Sequence, residues 1–251
     1  MKKFILFILI IFLSFQTFAD GKNQKKQTLK IVASTSWTAA FADLAGLDSI
    51  SVIAPSNLRH PPEYEITVSD IKKIMESDIF IYAGFERMMQ TIGDSVENTK
   101  MIKIDCDNSV ETVLKSSQKI AEICGTQSER DKRVKKYLSF IDESSNILEK
   151  RNLKNAKIFV NKNQRFLAKE FGFNTTNLFG PGLVTASQIQ TAKDEEFIFI
   201  IDNIHNPVGK PLAEVSPNSK YILWRNFPQK VEKDALLHVV QENLKNLEIF
   251  D

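Results

Sequence analysis

From 126 to 153 the chain carries neither glycine nor proline, and Val134, Tyr137, Leu138, Ile141 and Leu148 recur there at helical spacing. That spacing predicts one helix of about 25 residues with a narrow apolar face and a heavily charged remainder. The chain on either side of it is of another kind. Before it, short β-branched and aromatic runs at 29–33, 49–53, 79–82 and 101–105 alternate with helical patterns at 37–45, 68–76, 87–96 and 110–124. After it the alternation resumes, with strands expected at 157–160, 174–179, 197–201 and 221–224. Helices are expected there at 164–171, 186–193, 211–215 and 231–247. Near-continuous apolar strands separated by helices imply parallel pairing with both sheet faces covered. The expected fold is therefore α/β: two lobes, each with a parallel sheet flanked by helices, joined by one long linker helix. A stiff linker sets the lobes facing one another across a cleft of nearly fixed width.

The first residues read differently. Lys2 and Lys3 precede an apolar run at 4–15, and Thr17, Phe18 and Ala19 offer the small residues a signal peptidase requires. That run is too short to span a bilayer core of about 30 Å. Residues 1–19 are expected to be a signal peptide cut after Ala19. An N-terminal lobe then covers 20–125, the linker 126–154 and a C-terminal lobe 155–251. No cysteine lies near the cut, so the expectation is a periplasmic protein and not a lipoprotein. Losing Lys2 and Lys3 takes the 33 basic residues to 31, against 31 acidic ones. With no basic surplus to neutralise phosphates, nucleic acid is a poor partner. Cys106 closes an expected strand and Cys124 an expected helix. In an exported chain this pair can form a disulfide that staples helix to sheet, or remain two reduced, buried thiols.

In open α/β sheets, ligands bind beyond the carboxyl ends of the strands. That rule singles out 34–37, 54–65 and 84–86 in the first half, and 161–163, 180–182, 202–207 and 225–226 in the second. Two of the three histidines, His60 and His205, fall on these segments, one in each half. The third, His238, lies in the last helical pattern and is expected to pack on the sheet. His60 with Glu63, and Asp202 with His205, make a carboxylate–histidine pair in each half, a donor set suited to zinc or another transition ion. Pro61 fixes its own φ and biases His60 toward an extended backbone, so the imidazole loses little freedom on binding. In a polyproline II segment His60 and Glu63 would stand about 9 Å apart, so they share an ion only if the chain turns after Pro62. The other reading is a rigid loop whose histidine caps a strand or helix end. Glu86 suits an oxygen ligand, an acceptor behind the ligands, or a salt bridge to Arg87 or Arg59. Trp37 and Tyr64 either line a pocket or belong to the core. Arg225 is a permanent cation at the same crevice; it needs an acidic partner if a metal ion is to bind, and otherwise favours an anionic ligand. There is no G-x-S-x-G, no P-loop, no G-x-G-x-x-G after a strand and no H-E-x-x-H, so the chain is not read as an enzyme.

Three stretches carry a family resemblance: "RHPPEYEITVSDIKKIMESDIFIYAGFERM", "VNKNQRFLAKEFGF" and "FIFIIDNIHNPVGKPLAEV". The first resembles a histidine loop leading to Tyr-Glu, a Ser-Asp helix start, a strand and a Gly-x-x-Glu turn. The second is similar to the segment after the linker helix, and the third to the penultimate strand–helix unit. With the leader and the two lobes, they resemble the TroA-like solute-binding proteins of zinc and manganese ABC importers over essentially the whole mature chain. The resemblance implies capture of Zn²⁺ or Mn²⁺ as cargo in the inter-lobe cleft, handed by a monomer to an ABC permease in the inner membrane. It departs at the ligands: Pro62 stands where the family has a histidine, Asn161 at the post-linker histidine, and Arg225-Asn226 where the last strand delivers an aspartate. These departures fit a site rebuilt from His60, Glu63, Asp202 and His205, or a changed cargo. The alternatives are a small anion or metal chelate, and a surface adhesin-like protein with a vestigial cleft; an extracytoplasmic hydrolase comes last.

Overall fold

Two four-stranded sheets, all of whose pairs are parallel, form the framework of the computed structural model, which describes residues 29–93, 96 and 98–248. The expected signal peptide lies outside the described residues. Strands β1 (Ile31–Ala33), β2 (Ser51–Val52), β3 (Ile79–Tyr82) and β4 (Lys100–Lys103) are ordered β2-β1-β3-β4. Strands β5 (Lys157–Asn161), β6 (Asn174–Phe179), β7 (Phe199–Asn203) and β8 (Lys220–Trp224) are ordered β6-β5-β7-β8. The two lobes thus repeat one topology. β3 and β7 are buried along their whole length, because helices cover both faces of each sheet.

The helices are α1 (Ser36–Leu44), α2 (Val68–Met75), α3 (Met89–Ile92), α4 (Val110–Cys124), α5 (Gln127–Lys150), α6 (Arg165–Glu170), α7 (Ala186–Asp194), α8 (Lys210–Val215) and α9 (Ala235–Lys245). Their entries follow from the sequence: Thr35, Thr67 and Thr185 each close a capping box, accepting from a backbone N–H three residues on. Two ends differ from expectation. α3 is a single turn, ended by Gly93 at φ 70°, and α9 starts late because Asp234 takes a left-handed φ of 59°.

The linker α5 has 24 residues, about 36 Å of rod, and buries Val134, Tyr137, Ile141 and Leu148 as its spacing requires. Arg133, also buried, bolts it to the N-terminal lobe. Its Nη1 donates to Asp43 Oδ1 at 2.7 Å and its Nη2 to Asp48 Oδ1 at 2.9 Å. α9 then folds back across α1 and α5. Asp234 N donates to Asp43 Oδ2 at 2.8 Å, and Lys136 pairs with Asp234 at 2.6 Å. One apolar core consequently runs through the hinge side of both lobes, from Ile31 to Leu247.

Two expectations are corrected. Cys106 and Cys124 are both free. Asp105, next to Cys106, meets the middle of α4, where its carbonyl accepts from Ser116 Oγ at 2.8 Å, whereas Cys124 is the last residue of that helix, about 12 Å of rise further on and beyond disulfide reach. His238 does not pack on the sheet: it is exposed, with Nδ1 3.0 Å from Glu232 Oε1.

Candidate functional site in the inter-lobe cleft

The carboxyl ends of both sheets open on a cleft of about 440 Å³ between the lobes. From the N-terminal lobe, the loop after β2 brings His60. Pro61, Pro62 and Glu63 form a 3₁₀ turn, with prolines in the first positions where no N–H is needed. Glu63 N donates to His60 O at 3.0 Å and Tyr64 N to Pro61 O at 3.1 Å. The double proline therefore makes a turn and not a polyproline II segment, folding Glu63 back toward His60. Arg87 N donates to Pro62 O at 2.8 Å, tying the loop to the turn after β3. His60, half-buried, and Glu63, exposed, both line the cleft. Tyr64 does not: it packs in the outer core of its lobe and donates to Asp70 Oδ2 at 3.0 Å.

From the C-terminal lobe, the segment after β7 brings His205. Its ring lies flat on Phe227, centroids 3.8 Å apart and planes 13° from parallel. Only 9% of the residue is exposed, and its Nε2 is buried without a hydrogen-bond partner among the described residues. Burial, then the Arg225 charge, then that of His60, push its pKa down to about 4. The ring is therefore neutral at ordinary pH and keeps a nitrogen lone pair for an electrophile. Arg59 Nε crosses the cleft to donate to His205 O at 3.0 Å.

Beneath the cleft each lobe buries one carboxylate. Asp202, fully buried, accepts from Asn161 Nδ2 (2.9 Å) and Asn203 N (2.7 Å) on Oδ1. On Oδ2 it accepts from Gly209 N (2.6 Å) and Tyr221 OH (2.8 Å). A side chain at Gly209 has no room, since its Cβ would stand 2.6 Å from the Phe179 ring. Glu86, 2% exposed, accepts from Ser34 Oγ (2.5 Å), Ala83 N (2.8 Å) and Gly84 N (2.6 Å). It makes no salt bridge to Arg87, which pairs with Glu65, nor to Arg59. Asp202, Asn161 and Glu86 thus spend their polar atoms on the protein's own groups and lie behind the cleft wall. Among the described residues no group of three His, Cys, Asp or Glu side chains could together hold a metal ion.

Arg225 has an acidic partner: its Nε lies 2.8 Å from Glu242 Oε2. Trp37 lines the cleft, packed at 5.8 Å on Phe227 from the opposite lobe, with its Nε1 buried and without a hydrogen-bond partner among the described residues. Sequence reasoning missed Cys106, Asp107, Phe166 and Phe227, all on the wall. The strand-end rule, carried on past β4 and one residue past Asn226, finds three of these four. Asp107 braces Ser109, the N-cap of α4, accepting from Ser109 N (2.8 Å) and Thr112 Oγ1 (3.0 Å). Burial foremost, then the Glu86 charge, hold the Cys106 thiol well above its usual range. Across the floor, Asn108 Nδ2 donates to Asn226 O at 3.0 Å, a polar seam between the lobes.

No protein-family model matches the chain, and no curated protein does. Solved structures do. A Zn(II)-bound variant of AdcAII from Streptococcus pneumoniae is similar over 87% of this chain and 99% of its own, at 18% identity and TM-score 0.63. A Mn-bound variant of the periplasmic metal binding protein from Candidatus Liberibacter asiaticus is similar over 87% and 98%, at 19% identity and TM-score 0.64. The laminin-binding protein Lbp of Streptococcus pyogenes is similar over 87% and 97%, at 16% identity and TM-score 0.61. What the chain shares with them at such identities is the fold, the two-lobed parallel α/β arrangement.

Proposed function

We propose that the protein is an extracytoplasmic solute-binding protein that captures a divalent transition ion, zinc or manganese, in the cleft and hands it to an ABC permease. One observation carries the reading: His60 and His205, on opposite lobes, line one cleft, and His205 Nε2 is buried there with no partner. An unsatisfied buried nitrogen costs about 1–3 kcal/mol, which a coordinated cation offsets. The two imidazoles are the nitrogen ligands, and Glu63 is the free carboxylate of the wall. Asp202, with Asn161, acts one layer back by fixing the segment that carries His205, and Glu86 does the same for the turn after β3. Glu242 pairs with Arg225, whose charge otherwise acts on the imidazole of His205. That similar folds bind Zn(II) and Mn in the pneumococcal and Liberibacter proteins supports the class of ion. In this reading the leader at 1–19 exports the chain to the periplasm, where it works as a monomer and docks the permease through carboxylates on both lobes.

The test is thermal unfolding of the EDTA-treated protein with Zn²⁺, Mn²⁺ and Fe²⁺ added in turn. An ion at 1,000 times its Kd adds about 4 kcal/mol of stability. The reading requires such a shift with at least one ion, and its loss in His60→Ala and His205→Ala; no shift with any ion ends it.

A further inference from the structure

We propose, resting on the metal-binding reading above, that the cargo is a complexed ion: a divalent transition metal already held by a small, flat organic chelator that bears a carboxylate. The cleft is larger than a bare ion needs. A water occupies about 30 Å³ of liquid, so 440 Å³ holds on the order of fifteen waters, within the range of small-molecule sites. The protein's own donors are too few, since tetrahedral zinc takes about four ligands and no cluster of three is assembled among the described residues. Two imidazoles complete the shell of an ion whose other positions a chelator fills.

The walls suit such a ligand. Trp37, Phe227 and His205 form an aromatic row across the two lobes: Phe227 stacks on His205, and Trp37 packs on Phe227 at a tilt of 38°. Phe85 stands 56% exposed on the N-terminal wall, with Phe166 on the C-terminal one. Aromatic faces contribute little to a hydrated dication but stack well on a flat ring. The polar atoms agree. Trp37 Nε1, buried and unpartnered, can only donate, so it matches a carboxylate oxygen and not a metal ion. Arg59, clasped to His205 O, and Arg225 put two guanidiniums beside His205. Arg225 is paired with Glu242, but Arg59 makes no salt bridge among the described residues and opposes a bare dication more than one whose charge a carboxylate has reduced.

The probe is pyridine-2-carboxylate (picolinate), with citrate and L-histidine as further chelators, titrated calorimetrically into the purified, EDTA-treated protein. ZnCl₂ alone, each chelator alone and each preformed zinc complex are compared. At least one complex is expected to bind about tenfold or more tighter than ZnCl₂ alone. Trp37→Phe, which keeps an aromatic ring against Phe227 and removes the N–H, and Phe85→Ala, at an exposed position, should each weaken that complex about fivefold or more. His238→Ala should leave it unchanged. The proposal is overturned if free Zn²⁺ binds as tightly as every complex, or if the chelators merely strip it away. In that case tight, histidine-dependent binding of free Zn²⁺ leaves the metal-binding reading standing, whereas no binding of ion or complex removes both.

Discussion

The two lobes solve one problem alike and another differently. Both bury a carboxylate at the end of an inner strand: Glu86 follows β3 and is tied to the end of β1 through Ser34, and Asp202 ends β7 and is tied to β5 through Asn161. With β2-β1-β3-β4 matching β6-β5-β7-β8, the two carboxylates hold corresponding places. They differ in how they deliver an imidazole. His205 follows the inner strand β7 and sits buried on Phe227, whereas His60 comes from a proline loop after the outer strand β2 and is half open to solvent. One ligand is seated before the cargo arrives; the other is on the wall that solvent reaches. A cleft built this way has a buried half and a solvent-open half.

The largest expected effect tests the likeness of the carboxylates. Asp202→Ala strands four donors and Glu86→Ala three, so losses of about 4 and about 3 kcal/mol are expected in urea unfolding. If the Glu86 variant proves the less stable, the likeness is broken. Next comes the unlikeness of the histidines. His205→Ala should weaken Zn²⁺ by about 100-fold and His60→Ala by about tenfold, read by competition with a chromophoric chelator; equal losses would remove the distinction between buried and solvent-open ligand.

A smaller effect is in pH, for the metal-free protein. His205 has a folded pKa of about 4, below its value of about 6.5 in an unfolded chain. Its contribution is present above pH 6.5 and is lost as pH falls toward 4, about 2 kcal/mol of it between pH 7 and 5. Asp43, raised to about 6 by burial against the pull of Arg133, tilts the other way over this window. The quantity to read is therefore the difference between wild type and His205→Phe, which should shrink on acidification by about that amount. The smallest effect is at His238, whose exposed pair with Glu232 should cost about 0.5 kcal/mol or less when His238→Ala removes it.

Much of this was legible in the sequence because it rests on local chemistry. The apolar run at 79–82 could only be a covered parallel strand, and the glycine-free, proline-free stretch from 126 could only be the long helix α5. His60 and His205 were legible because a histidine at a strand end is out of place in a core. What lay beyond reach depends on contacts distant in sequence. That Asp202 is saturated follows from Gly209 and Tyr221 closing on it, and its neighbour spacing to His205 gave the opposite impression. The fate of Cys106 and Cys124 hung on where the segment before α4 crosses that helix, beside Ser116 and not beside Cys124. Phe227 became part of the site only because α9 folds back over α1 and leaves the preceding loop against Trp37.

The claim on which the functional reading turns is that His60 and His205 hold one cation together. X-ray absorption of the zinc-loaded protein counts imidazoles directly, at a Zn–N distance of about 2.0 Å. Two imidazoles are expected in the wild type and one in each of His60→Ala and His205→Ala. A zinc ion that carries no imidazole, or the same number in all three proteins, contradicts it.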